Sequence, residues 1–566
     1  MPQTKTNQEV CLDRSAGGIV RTELQSGLPV KVFYGPEDIK DVDYGRDLGD
    51  PGRFPYTRGI YPEMYRNRLW IKSFIVSYST AEETNRAFRA NIASGQNGLR
   101  LLADLPTQTG LDPDHPSSYN SMLCGGVSTY ALNVYETMLD GLPLENIDYE
   151  LAHSSISSAL FFYCMFPALM EGRGIDIAGL RGSNINDPFR AKLVYASPDF
   201  PNEIGRRVCL DLIEFGARHT PKWKAFAPNG VDPCQTGANA IQELAGCLGV
   251  AVTIYEELIK ERDLRLDDIG ATVFSLDAES DFFETIAKFR AARRMWARIA
   301  KERLGATTPR AMSLRIGIRT SGLSLQTQKP LNNAARITLQ ILSCVLGGVN
   351  SIDASSMDEA IGLPSSEARH FNLDAQHIIT HEANVPLAAD PLGGSYYLES
   401  LTNRIEQGVN EYLAKIEQNG GMWSCLESGW LRRQIEESRL KVQKEKASGK
   451  RLIIGVNAYQ GQEGPINRAI ERTAYKVPSE AARRRTVTAI RKLRKERDPS
   501  LFKRALKELH RAAREGRNVV RPTIEAAKAY ATIGEVVGTI RLAYGYPYDP
   551  LEEIETPAVV KEALGG

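Results

Sequence analysis

The segment SLRIGIRTSGLSLQTQKPLNNAARITLQILSCVLGGVNSIDAS (313–355) carries an apolar run, an amphipathic stretch and a second apolar run in succession. Residues 313–322 and 348–355 have the composition of short buried strands, and 331–346 has helical spacing. A helix between two such strands is the economical way to make a parallel crossover. The same unit recurs toward the N-terminus. Further strands are expected at 99–105, 125–131, 149–155, 177–184, 224–232 and 271–277, with a helix at 281–301 among those between them. About eight units within about 300 residues suit a closed (β/α)8 barrel. An open doubly wound sheet is the alternative; no G-x-G-x-x-G follows the first of these strands, which weighs against its dinucleotide-binding version.

The flanking regions differ from this body. Residues 1–50 are polar and rich in Gly, Asp and Pro, and read as an extended arm. The barrel is expected over 51–420 and a helical extension, suited to docking a subunit, over 421–566. In that extension 422–450 reads as a charged helix, RLIIGVNAY (451–459) as strand-like, and 523–544 as a last helix packed on the body. Residues 483–517 hold 14 Lys or Arg against four acids. Lacking interleaved aromatics, this patch suits an acidic partner or a solvated face better than nucleic acid.

Of 566 residues, 70 are basic and 69 acidic, so a net charge of +1 gives no global pull toward nucleic acid or acidic lipid. Eight scattered cysteines without a C-x-x-C pair fit a reducing cytoplasm. The most apolar run, 159–170, is about half the roughly 20 residues a membrane span needs, and reads as a buried helix. The expected strand ends, where barrel enzymes keep their chemistry, carry DLPTQT (104–109), SNIND (183–187), NGVD (229–232), RTSG (319–322) and SSMDE (355–359). This rim is polar yet poor in acid–base groups. His377 and His381 are spaced for one helix face, but helix packing explains them better than a metal, and no metal site is expected.

Longer motifs are more specific. TRGIYPEMYRNRLW (57–70), STAEETNRAFRANIASGQNGLRLLADLPTQTGLDPDHP (79–116), TPKW (220–223), KFRAARRMWARI (288–299), SSMDEAIGLPS (355–365) and DPLGGSYYLESLT (390–402) occur in order. With 313–338, and a weaker tail at AYGYPYDPL (543–551), the chain resembles the large subunit of adenosylcobalamin-dependent acyl-CoA mutases. That family includes methylmalonyl-CoA, isobutyryl-CoA and 2-hydroxyisobutyryl-CoA mutases. The resemblance implies a barrel with acyl-CoA threaded along its axis and radical isomerisation of a carbon skeleton. It also implies a separate small subunit carrying the corrinoid through D-x-H-x-x-G, a motif missing from this sequence, in a heterotetramer.

Site residues follow from the same resemblance. Tyr61, Met64 and Arg68 match positions that contact CoA, with core packing the plain alternative for the first two. Glu359, Gly362 and Leu363 match the cofactor-facing loop, whose acid holds ribose hydroxyls, and Val194 and Arg319 match positions near the cofactor. The departures bear on the substrate. Ile75 replaces the tyrosine of methylmalonyl-CoA mutases, as in 2-hydroxyisobutyryl-CoA mutases, but Leu102 stands where the latter have an aspartate. Ile185 replaces a glutamine, Tyr195 the arginine that holds the methylmalonyl carboxylate, Asp232 the histidine donating to the thioester, Arg319 a glutamine and Ala271 a CoA-contacting arginine. Without that arginine a buried substrate carboxylate would be unpaired and costly. A branched or hydroxylated monocarboxylic acyl-CoA is therefore expected, with Asp232 either accepting from a substrate hydroxyl or pairing with Arg319. A bulkier acyl-CoA, or a silent scaffold that binds a CoA ester or the corrinoid subunit, are the rival readings.

Overall fold

Eight parallel strands alternate with eight helices in the computed structural model, which describes residues 21–75, 80–145, 147–153, 155–362, 364–461, 464–474 and 478–565. The strands are β1 (Ile71–Ser73), β2 (Gly98–Leu102), β3 (Asp148–Ala152), β4 (Gly182–Asn184), β5 (Trp223–Lys224), β6 (Thr272–Ala278), β7 (Leu314–Thr320) and β8 (Ser351–Asp353). The intervening helices are α1 (Ala81–Ala93), α2 (Leu132–Met138), α3 (Ile156–Gly172), α4 (Asn202–His219), α5 (Ala240–Arg262), α6 (Phe282–Glu302), α7 (Asn332–Leu346) and α8 (Ser366–His377). Two four-stranded sheets, β2-β3-β4-β5 and β1-β8-β7-β6, form the wall. Single parallel bridges, Ile75 to Arg100 and Asn229 to Ser275, join them at both seams and close a (β/α)8 barrel.

Several of the expected elements are corrected. Residues 125–131 form no strand: Gly126 lies so close to β2 that a Cβ would stand 2.4 Å from the Ala103 carbonyl, and only Val127 bridges to Ala103. The missing first strand is Ile71–Ser73, inside the stretch RLWIKSF, where Lys72 interrupts the apolar pattern. The strand-like 451–459 is a turn closed by an Ile454–Ala458 bridge. The helix expected at 523–544 is two, Val520–Lys528 and Ile533–Ala543, parted at Tyr530, which takes a φ of 57°.

Packing explains the most apolar helix. Every residue of α3 from Ile156 to Met170 is buried, which an ordinary barrel helix, wet on its outer face, would not show. Its outer side is covered by Val520–Lys528, whose Val520 carbonyl faces the Cys164 thiol. Helices Glu480–Glu496 and Pro499–Arg514 lie farther out, fixed by Arg494 to Asp112 and Asp114 and by the buried Arg497–Glu535 pair. At the other end of the chain, Arg21 pairs with Asp281 and Ser26 donates to Glu284, so residues of the arm lie on the start of α6. No helix among the described residues is long and apolar enough to cross a membrane.

Candidate functional site

Strand alternation decides what faces the axis. On β7, Leu314, Ile316 and Ile318 are buried under the helices, while Arg315, Gly317 and Arg319 keep part of their surface exposed. On β3, Tyr149 and Leu151 are buried outward and Asp148 and Glu150 alternate with them. Register carries this around the wall: Arg100, Glu150, Ser183 and Lys224 form one row, and Ser73, Asp353, Arg319 and Asp277 another. Barrels of this type are ordinarily filled by bulky branched side chains. Here the axis is lined by glycine, serine and charge.

Those charges form a ladder. Glu359 at the rim pairs with Arg319 at 2.6 Å, Arg319 with Asp353 at 3.0 Å, Asp353 with Arg100 at 3.3 Å, and Arg100 with Glu150 at 3.3 Å. Ser73 donates to Glu150 at 2.8 Å. Burial works against the charge on Arg319, but Glu359 and Asp353 outweigh it and hold the guanidinium protonated. Burial also pushes the Asp353 carboxyl above its usual range despite Arg100 and Arg319.

At the C-terminal ends of the strands a cavity of about 150 Å³ opens over this ladder. It brings together five of the residues picked out in the sequence: Ile75, Leu102, Arg319, Glu359 and Gly362. Ile75 donates its N–H to Asp353 at 3.2 Å, so the turn out of β1 is tied to β8. The Glu359 side chain is 29% exposed, and its second oxygen accepts from the Ser356 N–H at 3.2 Å. Leu363 lies outside the described residues.

Asp232 and Tyr195 form a second group around a residue the sequence reading passed over, Arg190. This arginine sits on the short helix Pro188–Leu193, N-capped by Asp187. Its Nε donates to Asp232, its Nη1 to the His153 carbonyl, and its plane covers the Tyr195 ring at 4.9 Å. The pairing of Asp232 with Arg319 is thus corrected: Arg319 is taken by Asp353 and Glu359, and Asp232 by Arg190. Burial, with Arg190 nearby, pushes His153 down to about 3, so this imidazole is neutral. Ile185 is buried just past β4. Val194, half-buried, caps the short helix by donating to the Arg190 carbonyl.

Tyr61, Met64 and Arg68 precede β1 and therefore lie at the opposite mouth. Tyr61 is exposed, Arg68 reaches Asp148 at 3.1 Å, and Met64 is buried against Gly59 and Gly348. Lys224 lies along the inner wall: Trp223 beside it packs outward on Tyr163 and Phe166. Its ammonium is buried with no hydrogen-bond partner among the described residues. Burial, then Arg310 and Arg315, push it down to about 8. His377 meets Lys72 at 3.1 Å, and no metal-binding cluster occurs among the described residues.

Arg100, Glu150, Lys224 and Asp353 also escaped the sequence reading. The signal was there: a strand covered by helices should read as nearly all apolar, and a charge inside LRLLADL, YELA or SIDAS marks a side chain aimed at a polar interior.

A helix-clad barrel with a polar axis, ending in a mouth at the strand ends that joins charge to apolar wall, is the architecture of a barrel enzyme. Comparison with known proteins agrees. The profile of the methylmalonyl-CoA mutase family matches residues 23–546. The chain is 34% identical over 519 residues to the 2-hydroxyisobutanoyl-CoA mutase large subunit of Aquincola tertiaricarbonis, covering 91% of each protein. It is 32% identical to methylmalonyl-CoA mutase of Rhizobium meliloti, over 94% of this chain and 73% of that protein. For the human mitochondrial enzyme the values are 31%, 92% and 68%. The chain belongs to the methylmalonyl-CoA mutase family, and is by class an acyl-CoA mutase, an isomerase.

Proposed function

We propose that the chain is the large subunit of an adenosylcobalamin-dependent mutase that isomerises a branched or hydroxylated monocarboxylic acyl-CoA, and not methylmalonyl-CoA. The observation that carries this reading is the join of a polar axis to a mouth walled by Ile75 and Leu102, whose Arg319 is already ion-paired to Asp353 and Glu359. The thioester arm lies along the axis, entering past Tyr61 and Arg68, and its acyl end reaches Ile75, Leu102 and Ile185. Asp232 and Tyr195 receive a substrate hydroxyl. The walls hold the acyl group in one orientation and exclude water from it.

The mouth suits the cofactor. Glu359 offers a partly exposed carboxylate to ribose hydroxyls, and a Cβ on Gly125 would meet nothing within 4 Å, which leaves room above Leu102. Glu359, Gly362, Val194 and Arg319 would face it. When bound, adenosylcobalamin supplies the radical chemistry, the part of the reaction side chains cannot provide. A small subunit bearing D-x-H-x-x-G would deliver it, in a cytoplasmic heterotetramer; support comes from the relative named a large subunit. We assign the docking surface to the extension beyond residue 421, where Arg484, Arg485, Arg491, Lys492 and Lys495 are exposed.

The test is to co-express the chain with such a small subunit, add adenosylcobalamin and offer a panel of acyl-CoA esters. Isomerised product with a Co(II) signal on a monocarboxylic ester is expected. Fastest turnover of methylmalonyl-CoA, or no product from a folded complex, would overturn the reading.

A further inference from the structure

The buried arginine at the exits of β3, β4 and β5 has a use that its present bonds conceal. Arg190 is 6% exposed, yet among the described residues it pairs with one carboxylate only. Arg290, more deeply buried still, has two, Asp390 and Glu399. The remaining nitrogen of Arg190, Nη2, is directed to the Tyr195 hydroxyl at a loose 3.5 Å. The partners are not equally hidden. The Asp232 side chain is 18% exposed and Tyr195 46%, so carboxylate and phenol stand toward solvent with the guanidinium behind them.

We propose that Arg190 is a masked carboxylate-binding group, and that Asp232 acts as an internal substitute for a substrate carboxylate, so that the pair sets specificity by shutting out dicarboxylic thioesters. The proposal rests on the acyl-CoA mutase reading above. A ligand carboxylate arriving at this point meets the negative charge of Asp232 and finds the guanidinium committed. A neutral or hydroxylated acyl group meets neither obstacle, and its hydroxyl can donate to the carboxylate. Such exclusion needs no steric block, because the repulsive element is the aspartate itself. Taking away the aspartate charge leaves a desolvated guanidinium unpaired, a costly state that any well-placed anion relieves. A carboxylate fits best, since the guanidinium fork matches its two oxygens.

The experiment measures dissociation constants of isobutyryl-CoA and methylmalonyl-CoA, which carry no and one free carboxylate, by calorimetry on the full-length chain. Asp232→Asn should improve methylmalonyl-CoA binding at least tenfold relative to isobutyryl-CoA. The double variant Arg190→Gln with Asp232→Asn should lose that gain. Asp232→Ser is the second unmasking variant, and melting curves report whether each has folded. Parallel changes for both esters, or a gain that persists without Arg190, overturn the proposal. So does failure of both single variants to fold, which would make the pair structural. If the unmodified chain binds neither ester, the acyl-CoA mutase reading fails with it; binding of isobutyryl-CoA with an unmoved ratio defeats only this inference.

Discussion

Replacing Lys224 with methionine should make the protein more stable, although it removes a charged residue from the interior. The ammonium of Lys224 is buried on the inner wall without a hydrogen-bond partner among the described residues. Burial, then Arg310 and Arg315, bring its pKa from an ordinary 10.5 to about 8. That gap corresponds to about 3 kcal/mol of penalty on the charged form. At roughly 2.1 cal/mol/K per residue, the whole chain unfolds with an entropy of about 1.2 kcal/mol/K, so relief of the penalty should raise Tm by about 2–3 °C. The pH dependence is distinctive. Between about 8 and 10.5 the unfolded chain holds this proton and the folded one does not, so native stability from this group climbs with pH. The advantage of Lys224→Met is therefore full at pH 7 and shrinks toward zero near pH 10.5. Differential scanning calorimetry at pH 7, 8.5 and 10 would show it. A Tm lowered at pH 7, or a gain that does not change with pH, would refute the argument.

Other outcomes follow from single contacts. Glu535 closes a bidentate pair with Arg497, both about 3% exposed or less, and accepts the Thr532 N–H. Glu535→Gln should cost about 3–5 kcal/mol in chemical denaturation, because Arg497 stays buried without its counter-charge. Gly182 has a φ of 151°, and a Cβ there would stand 2.2 Å from the Tyr149 carbonyl oxygen. Gly182→Ala should force β3 and β4 apart, with a loss of about 1–3 kcal/mol seen in the same assay. Glu359→Gln removes one of two acids from Arg319 and leaves Asp353 in place. We expect melting near that of the parent but turnover at least tenfold lower with a raised requirement for adenosylcobalamin; unchanged kinetics would remove Glu359 from the proposed cofactor contact.

The sequence made the barrel legible because six crossovers follow plain apolar and amphipathic patterns, and because 313–355 alone contains β7, α7 and β8. β1 was harder: three residues long, interrupted by Lys72, it looks like loop until its partner β8 is known. The error at 125–131 has the reverse cause. GGVSTYA has strand composition, yet Gly126 is there for a close approach to β2 rather than for pairing. Among candidate site residues, those gathered at the mouth sit at strand ends, where position alone suggests exposure. Arg190 went unnoticed since its role depends on three segments, around His153, Tyr195 and Asp232, that only folding brings together. Likewise Asp232 and Arg319 are natural partners on paper, but each has a nearer ion of opposite charge. The all-buried α3 could be seen as a core helix; that its cover comes from Val520–Lys528, more than 300 residues on, could not.

Because the axis is lined by small and charged side chains, the hydrophobic core lies in two arcs between strands and helices, and each strand serves two masters in alternate residues. Odd positions of β7, Arg315 to Arg319, answer to whatever passes along the axis; even positions, Leu314 to Thr320, answer to the helices outside. Ligand preference can therefore drift by changing one parity while the other keeps the scaffold intact, and a substitution scan of the wall should separate into two populations by side of strand.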